Sequence, residues 1–131
     1  MKPPRPHSAN EQSLQRTVAD YLALCVPAPP SGPWWTAVNP VPSKSSAVAG
    51  ISKAMGLRAG TPDFVLCWKG RLVGIELKAG RGRMSPAQIE AHDAITLSGG
   101  VVTTCRTLDD VAALLATLGV PSRARALFRA P

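Results

Sequence analysis

Apolar residues recur along this chain with two periods. Leu14, Val18, Tyr21, Leu22 and Cys25 fall at helical spacing, with Arg16 and Asp20 on another side. Ser8-Ala9-Asn10-Glu11 is a capping-box pattern that opens this helix, and Pro27 lies at or just past its end. Trp34-Trp35-Thr36-Ala37-Val38 then reads as a short strand stopped by Asn39-Pro40. Its two tryptophans point to opposite faces, and both are read as packing residues. The surrounding stretch, Pro27 to Ala59, is rich in Pro, Gly and Ser, with one or two helical turns expected from Ile51 to Leu57, ending at Gly56.

Two β-prone runs follow, Phe64 to Trp68 and Leu72 to Lys78, separated by a turn at Lys69-Gly70. Ser85-Pro86-Ala87-Gln88 starts another helix, with Ser as N-cap, Pro at the first position and Gln at the third. That helix runs to about Leu97, carries Ile89 and Ile95 as its largest apolar side chains, and ends at Ser98-Gly99-Gly100. Val101 to Cys105 reads as a buried strand. Thr107 to Asp110 is a third capping box, and Val111, Leu114, Leu115 and Leu118 form the stripe of a last helix closed by Gly119 and Pro121. The order is helix, strand, hairpin, helix, strand, helix, which predicts an α/β domain. The last strand follows a helical crossover, as a parallel partner of the hairpin would.

The hairpin carries charges that a core strand would not select. Leu72, Gly74, Glu76 and Lys78 share one face, and Val73, Ile75 and Leu77 the other. With Lys69 and Gly70 as the loop, Trp68 pairs with Arg71, and stepping back along both strands places Asp63 opposite Glu76. Directly opposed residues have Cβ atoms roughly 4.5–5.5 Å apart, so the two carboxylates repel. Something cationic between them would relieve the pair: Lys78 is one candidate and a divalent metal the other.

The chain has 131 residues, the size of one modest domain. The Pro-rich residues 1–8 are expected to be disordered, 9–121 to form the domain, and 122–131 to be a basic tail. No apolar run approaches the ~18 residues of a membrane span, and Met1 to His7 lacks the apolar core of a secretory signal, so a cytoplasmic protein is expected. Fifteen Lys and Arg against eight Asp and Glu give a net charge of +7. Lys44, Lys53 and Arg58 precede the hairpin, Arg81 and Arg83 follow it in a Gly-rich loop, and Arg123, Arg125 and Arg129 crowd the tail. Such clustering suits a polyanion such as DNA. Arg81 and Arg83 admit a solvated turn or phosphate contact, and their position after Glu76 and Lys78 favours contact. Three scattered cysteines, Cys25, Cys67 and Cys105, form neither a zinc site nor a disulfide framework, and Cys67 and Cys105 are read as buried packing residues. His7 and His92 stand alone and are assigned no catalytic or metal role. A Ser-His-Asp triad, a Cys-His pair and a Walker loop are absent.

Gly60-Thr61-Pro62-Asp63, then Gly74-Ile75-Glu76-Leu77-Lys78, then Ser85-Pro86-Ala87-Gln88, resembles the VRR-NUC family of virus-type replication-repair nucleases, within the PD-(D/E)xK superfamily. The close likeness covers about residues 57 to 106, and a looser one extends to Glu11–Tyr21. The resemblance implies a restriction-endonuclease-like αβββαβ core, a mixed central sheet flanked by helices, here with one extra C-terminal helix. It implies catalytic roles for Asp63, Glu76, Lys78 and Gln88. Asp63, Glu76 and the backbone carbonyl of Leu77 would hold Mg²⁺, for which Mn²⁺ can substitute, and no small-molecule cofactor is expected. Glu11 has two accounts: the third residue of its capping box, or an extra metal ligand reaching in from the first helix. Gln88 likewise serves as a cap or faces the site, and one side chain can do both. The segment Pro42 to Val48 resembles the one that lies near DNA in these nucleases.

The leading expectation is a Mg²⁺-dependent, structure-selective DNA endonuclease acting in DNA repair. By resemblance it would leave a 5′-phosphate and a 3′-hydroxyl. The resemblance also implies a phage or bacterial setting and a homodimer that resolves four-way (Holliday) junctions. One alternative is a monomeric nuclease on duplex, flap or nicked DNA; another is a basic DNA-binding module without catalysis. In each case phosphate neutralisation predicts that DNA affinity falls steeply with added salt, measured as the slope of log K against log salt. A flat slope would mean that the +7 charge serves some other purpose.

Overall fold

A computed structural model describes residues 9–38, 50 and 53–123. The elements run α1 (Ala9–Cys25), β1 (Trp34–Ala37), β2 (Phe64–Trp68), β3 (Arg71–Leu77), α2 (Pro86–Leu97), β4 (Val101–Cys105) and α3 (Leu108–Thr117). The order is the expected one, and so is the architecture: an α/β, restriction-endonuclease-like fold on one mixed sheet. The Pro-rich start, the Pro42–Val48 loop with Lys44, Ile51 and the tail from residue 124 lie outside the described residues.

Strand order in the sheet is β1-β2-β3-β4. The three strands β1 to β3 pair antiparallel, and β4 joins β3 in parallel after the α2 crossover. Lys69 (φ 48°) and Gly70 (φ 76°) both take positive φ, the backbone of a tight two-residue turn whose twist matches that of the strands. That turn sets the register Trp68↔Arg71 through Phe64↔Ile75, as the alternation required.

The register sorts the side chains. Phe64, Leu66, Val73, Ile75 and Leu77 face α1 and α3, where they pack with Val18, Tyr21, Leu22, Val111 and Leu115. Each such side chain, fully withdrawn from water, contributes on the order of 1.5–3 kcal/mol. The stripe expected on α1 is therefore the core stripe. Trp68 closes one end, its Nε1 donating to the Leu118 carbonyl at 3.0 Å.

The opposite face is covered sparsely. The α2 helix lies over it by its N-terminal end and buries none of its own residues fully; Ile89 is 50% exposed. Several expectations fail here for one reason: among the described residues, no helix lies above β1 and the outer part of β2 on this side. Trp34 is 59% exposed and does not pack, whereas Trp35, on the core face, meets the Phe64 ring at 6.1 Å. Cys67, paired beside Trp34, is exposed instead of buried, while Cys105 is buried as expected. The strand β4 is also less buried than its composition suggested. It is an edge strand, and only Cys105 at its end is fully covered.

The loop before β2 is locked to the start of α2. Gly60 has φ 81°, and a Cβ there would overlap the Ala87 carbonyl. Glycine is thus required twice, for its backbone angle and for the approach. Gly60→Ala should cost about 2 kcal/mol or more of unfolding free energy in urea titration. Gly80→Ala, also at positive φ but with open space for a Cβ, should cost distinctly less.

Candidate active site

Asp63 stands at the last position before β2, where the loop enters the sheet. The β2–β3 ladder ends at Phe64, and beyond it the Leu77 N–H donates to Asp63 Oδ2 at 2.7 Å instead of to a strand carbonyl. The Asp63 side chain thus completes the sheet edge and is itself buried, 4% exposed. Its own carbonyl takes the Val38 N–H at 2.8 Å, which ties the residue to the end of β1 as well.

Glu76 lies beside it, 1% exposed, on the face away from the aliphatic core. Lys78 shares that face and is also buried, with Nζ 3.9 Å from Glu76 Oε1. Its backbone N–H extends the β3–β4 ladder to the Cys105 carbonyl at 3.1 Å, so the Lys78 stem starts from a fixed point. Gln88 Nε2 donates to the same Oε1 of Glu76. Gln88 Oε1 meanwhile accepts the Ser85 N–H at 2.8 Å, and Ser85 Oγ accepts the Gln88 N–H, completing the capping box. One end of the Gln88 amide thus caps α2 and the other holds Glu76.

Glu76 Oε2 has no hydrogen-bond partner although it is buried. Burial first, then the charge of the neighbouring Asp63, push the Glu76 carboxyl up to about 8, against the opposing pull of Lys78. A buried carboxylate oxygen without a donor, beside a second carboxylate, suits a cation at that point. Among the described residues no three His, Cys, Asp or Glu side chains gather closely enough to hold an ion. An ion here would rest on two carboxylates and take carbonyl and water oxygens for the rest, which is the habit of Mg²⁺.

Glu11 reaches the rim of this site from the first turn of α1. Its Oε1 accepts the Ala79 N–H at 3.4 Å, and a Cβ on Gly82 would meet both this carboxylate, at 3.5 Å, and the Lys78 stem, at 3.6 Å. Glu11 therefore touches the loop beside Lys78 and does not form a three-acid cluster with Asp63 and Glu76. Arg81 and Arg83 are exposed on that loop. Lys53 and Arg58 are exposed on the segment leading to Gly60, and Arg58 gives its carbonyl to the Thr61 hydroxyl at 2.7 Å.

Two further residues lie near the site: His92, to which the sequence assigned no role, and Arg106, which the sequence did not single out. His92 lies one helical turn beyond Gln88 on α2. Its Nε2 is buried without a partner, and burial lowers its pKa, with Lys78 pushing the same way and Asp93 and Asp63 opposing. Only the helical turn after the capping box could have signalled this placement. Arg106, just past β4, donates from Nη1 and Nη2 to the carbonyls of Gly80 and Gly82, and no spacing rule connects it to that loop.

No protein-family model matches the chain, and no curated protein matches it closely. Among solved structures it is similar to one described as a VRR_NUC domain protein, with a TM-score of 0.64 at 19% sequence identity, covering 86% of this chain and 89% of that one. At that identity the likeness is one of fold: the chain has the VRR-NUC fold.

The raised Glu76 carboxyl has a consequence for stability. The folded protein keeps a proton that the unfolded chain releases near 4.5, the ordinary value of a free glutamate. The stabilisation tied to this proton is complete below that pH and drains away as pH rises through about 8. In EDTA, wild-type melting temperature should therefore fall between pH 5 and 8.5 relative to Glu76→Gln, which has nothing to titrate there. Parallel melting curves would contradict the assignment. Divalent ion added at pH 8.5 should restore the wild type and leave Glu76→Gln unmoved.

Proposed function

We propose that the protein is a divalent-metal-dependent DNA endonuclease of the PD-(D/E)xK type, acting on branched DNA as a homodimer. The observation that carries the chemistry is the buried Asp63–Glu76 pair with Lys78 at 3.9 Å and one carboxylate oxygen left without a donor. A purely structural account leaves that arrangement costly. Two acids and an orphaned oxygen in a sheet interior destabilise the fold unless they serve a ligand.

In this reading Asp63, Glu76 and the Leu77 carbonyl hold Mg²⁺ or Mn²⁺. Bound there, the ion supplies charge neutralisation for the phosphate and acidifies a water. The protein groups do the rest. The Leu77 N–H fixes Asp63, and Gln88 fixes Glu76, so both carboxylates are oriented before substrate arrives. Lys78, held on the same face, donates to the attacking water or to a phosphate oxygen and favours the hydroxide form. Lys53, Arg58, Arg81 and Arg83 line the approaches with positive charge for the DNA backbone. The preference for branched DNA rests on the family resemblance. So does the dimer, since paired nicks across a four-way junction need two active sites related by a two-fold axis.

Purified protein should nick a branched DNA substrate with Mg²⁺ or Mn²⁺ and leave it intact in EDTA. Asp63→Ala and Glu76→Ala should abolish cutting while retaining DNA binding. Lys78→Ala should lower the rate far more than it weakens metal binding, because Lys78 is not a ligand. A wild type that binds junctions but cuts no DNA with either metal would sink the nuclease reading. Sedimentation of the complex tests the dimer, and a panel of linear, nicked, flap and four-way substrates tests the preference.

A further inference from the structure

The loop joining β3 to α2 is gripped from outside by Arg106. Nη1 donates to the Gly80 carbonyl at 2.8 Å and Nη2 to the Gly82 carbonyl at 2.9 Å. The clamp has a firm base. The Arg106 N–H donates to Asp110 Oδ2 at 2.8 Å, and the same oxygen takes the Thr107 N–H at 3.2 Å in the α3 capping box. Within the loop, the Gly82 N–H closes a turn onto the Ala79 carbonyl at 3.0 Å. Its far end is tied by the Thr104 hydroxyl, 3.3 Å from Met84 Sδ.

The direction of those carbonyls decides what the loop offers on its other side. Across a planar trans peptide, a carbonyl and the next N–H point in opposite directions. With the Gly80 and Gly82 carbonyls turned toward Arg106, the N–H groups of Arg81 and Arg83 are turned away from it. Neither N–H has an acceptor among the described residues. The loop also lies against the catalytic lysine: a Cβ on Gly82 would stand 3.6 Å from Lys78 Cδ.

We infer that Arg106 is a positioning residue that shapes Gly80–Arg83 into a cradle for one DNA backbone phosphate beside the scissile one. The anion is taken by the Arg81 and Arg83 N–H groups together with their guanidinium side chains. Backbone N–H groups turned to one side of a loop attract an anion, and forked guanidinium donors match phosphate oxygens. Arg106 contributes by drawing two carbonyl dipoles away from the negative ligand. A lysine there would keep the charge and lose the two parallel donors. The inference rests on the nuclease reading for the identity of its ligand.

The test uses the full chain as wild type, Arg106→Lys and Arg106→Ala, each first shown by melting and circular dichroism to be folded. The probe is a short branched DNA in EDTA, and the readout is the amide resonance of Arg81 and Arg83 by ¹⁵N NMR. Both amides should shift on titration in the wild type, both variants should lose those shifts, and DNA affinity should fall about tenfold. With Mg²⁺, the variants should show a raised KM and a much smaller change in kcat. A single neutral methylphosphonate beside the cut should weaken the wild type and leave Arg106→Ala indifferent. Unshifted wild-type amides, or an Arg106→Lys variant that matches wild type throughout, would overturn the inference. If the wild type cuts no DNA, the nuclease reading fails, and the amide shifts alone still decide whether the loop holds a phosphate.

Discussion

The structure turns on one buried hydrogen bond, from the Leu77 N–H to the Asp63 carboxylate at 2.7 Å. At this point the β2–β3 ladder has run out of backbone partners, and a side chain takes over. The substitution lets the sheet end without an orphaned amide. It also draws a carboxylate into the sheet, next to Glu76, where two negative charges share a dry space. Everything else near the site follows from that crowding. Lys78 must be close, Gln88 must reach across from α2, and the protonated form of Glu76 is favoured while no cation is bound.

The two faces of the sheet divide the labour. The face toward α1 and α3 holds the aliphatic core and carries the stability. The face toward α2 is thinly covered, with a helix that buries no residue fully and a corner at Trp34 and Cys67 that stays open. Thin cover suits a surface that must admit a large ligand, since a helix packed flat across it would close the way to Glu76. The α2 helix is secured mainly at its start. Gly60 presses against Ala87, and Gln88 joins the cap to Glu76. A helix fixed at that end and loosely packed elsewhere places one side chain accurately at little cost in buried surface.

The loop after β3 completes the site by being held at its backbone groups. Arg106, between β4 and α3, and Glu11, in the first turn of α1, approach the Ala79–Gly82 turn, one through its donors and the other through an acceptor. The turn is thereby set between α1 and the start of α3 while it remains glycine-rich.

Local patterns in the sequence determined the elements, the hairpin register and the nearness of Asp63 to Glu76. A two-residue turn and strict alternation leave only one register that buries Phe64, Leu66, Val73 and Ile75 together. The capping boxes of α2 and α3 and the helical stripes are similarly short-range, and they were readable for the same reason. Tertiary structure alone decided which faces are covered. Trp34 and Cys67 lie exposed because no described helix reaches those positions, and β4 lies at an edge of the sheet; neither the helices over a sheet face nor the strand order is written in a strand's own alternation. It also decided the company of the site. Gln88 meets Glu76 across 12 residues, Arg106 meets Gly80 across 26, and Glu11 meets Ala79 across 68. Contacts at such separations depend on how the layers stack, and that is a property of the packed core as a whole.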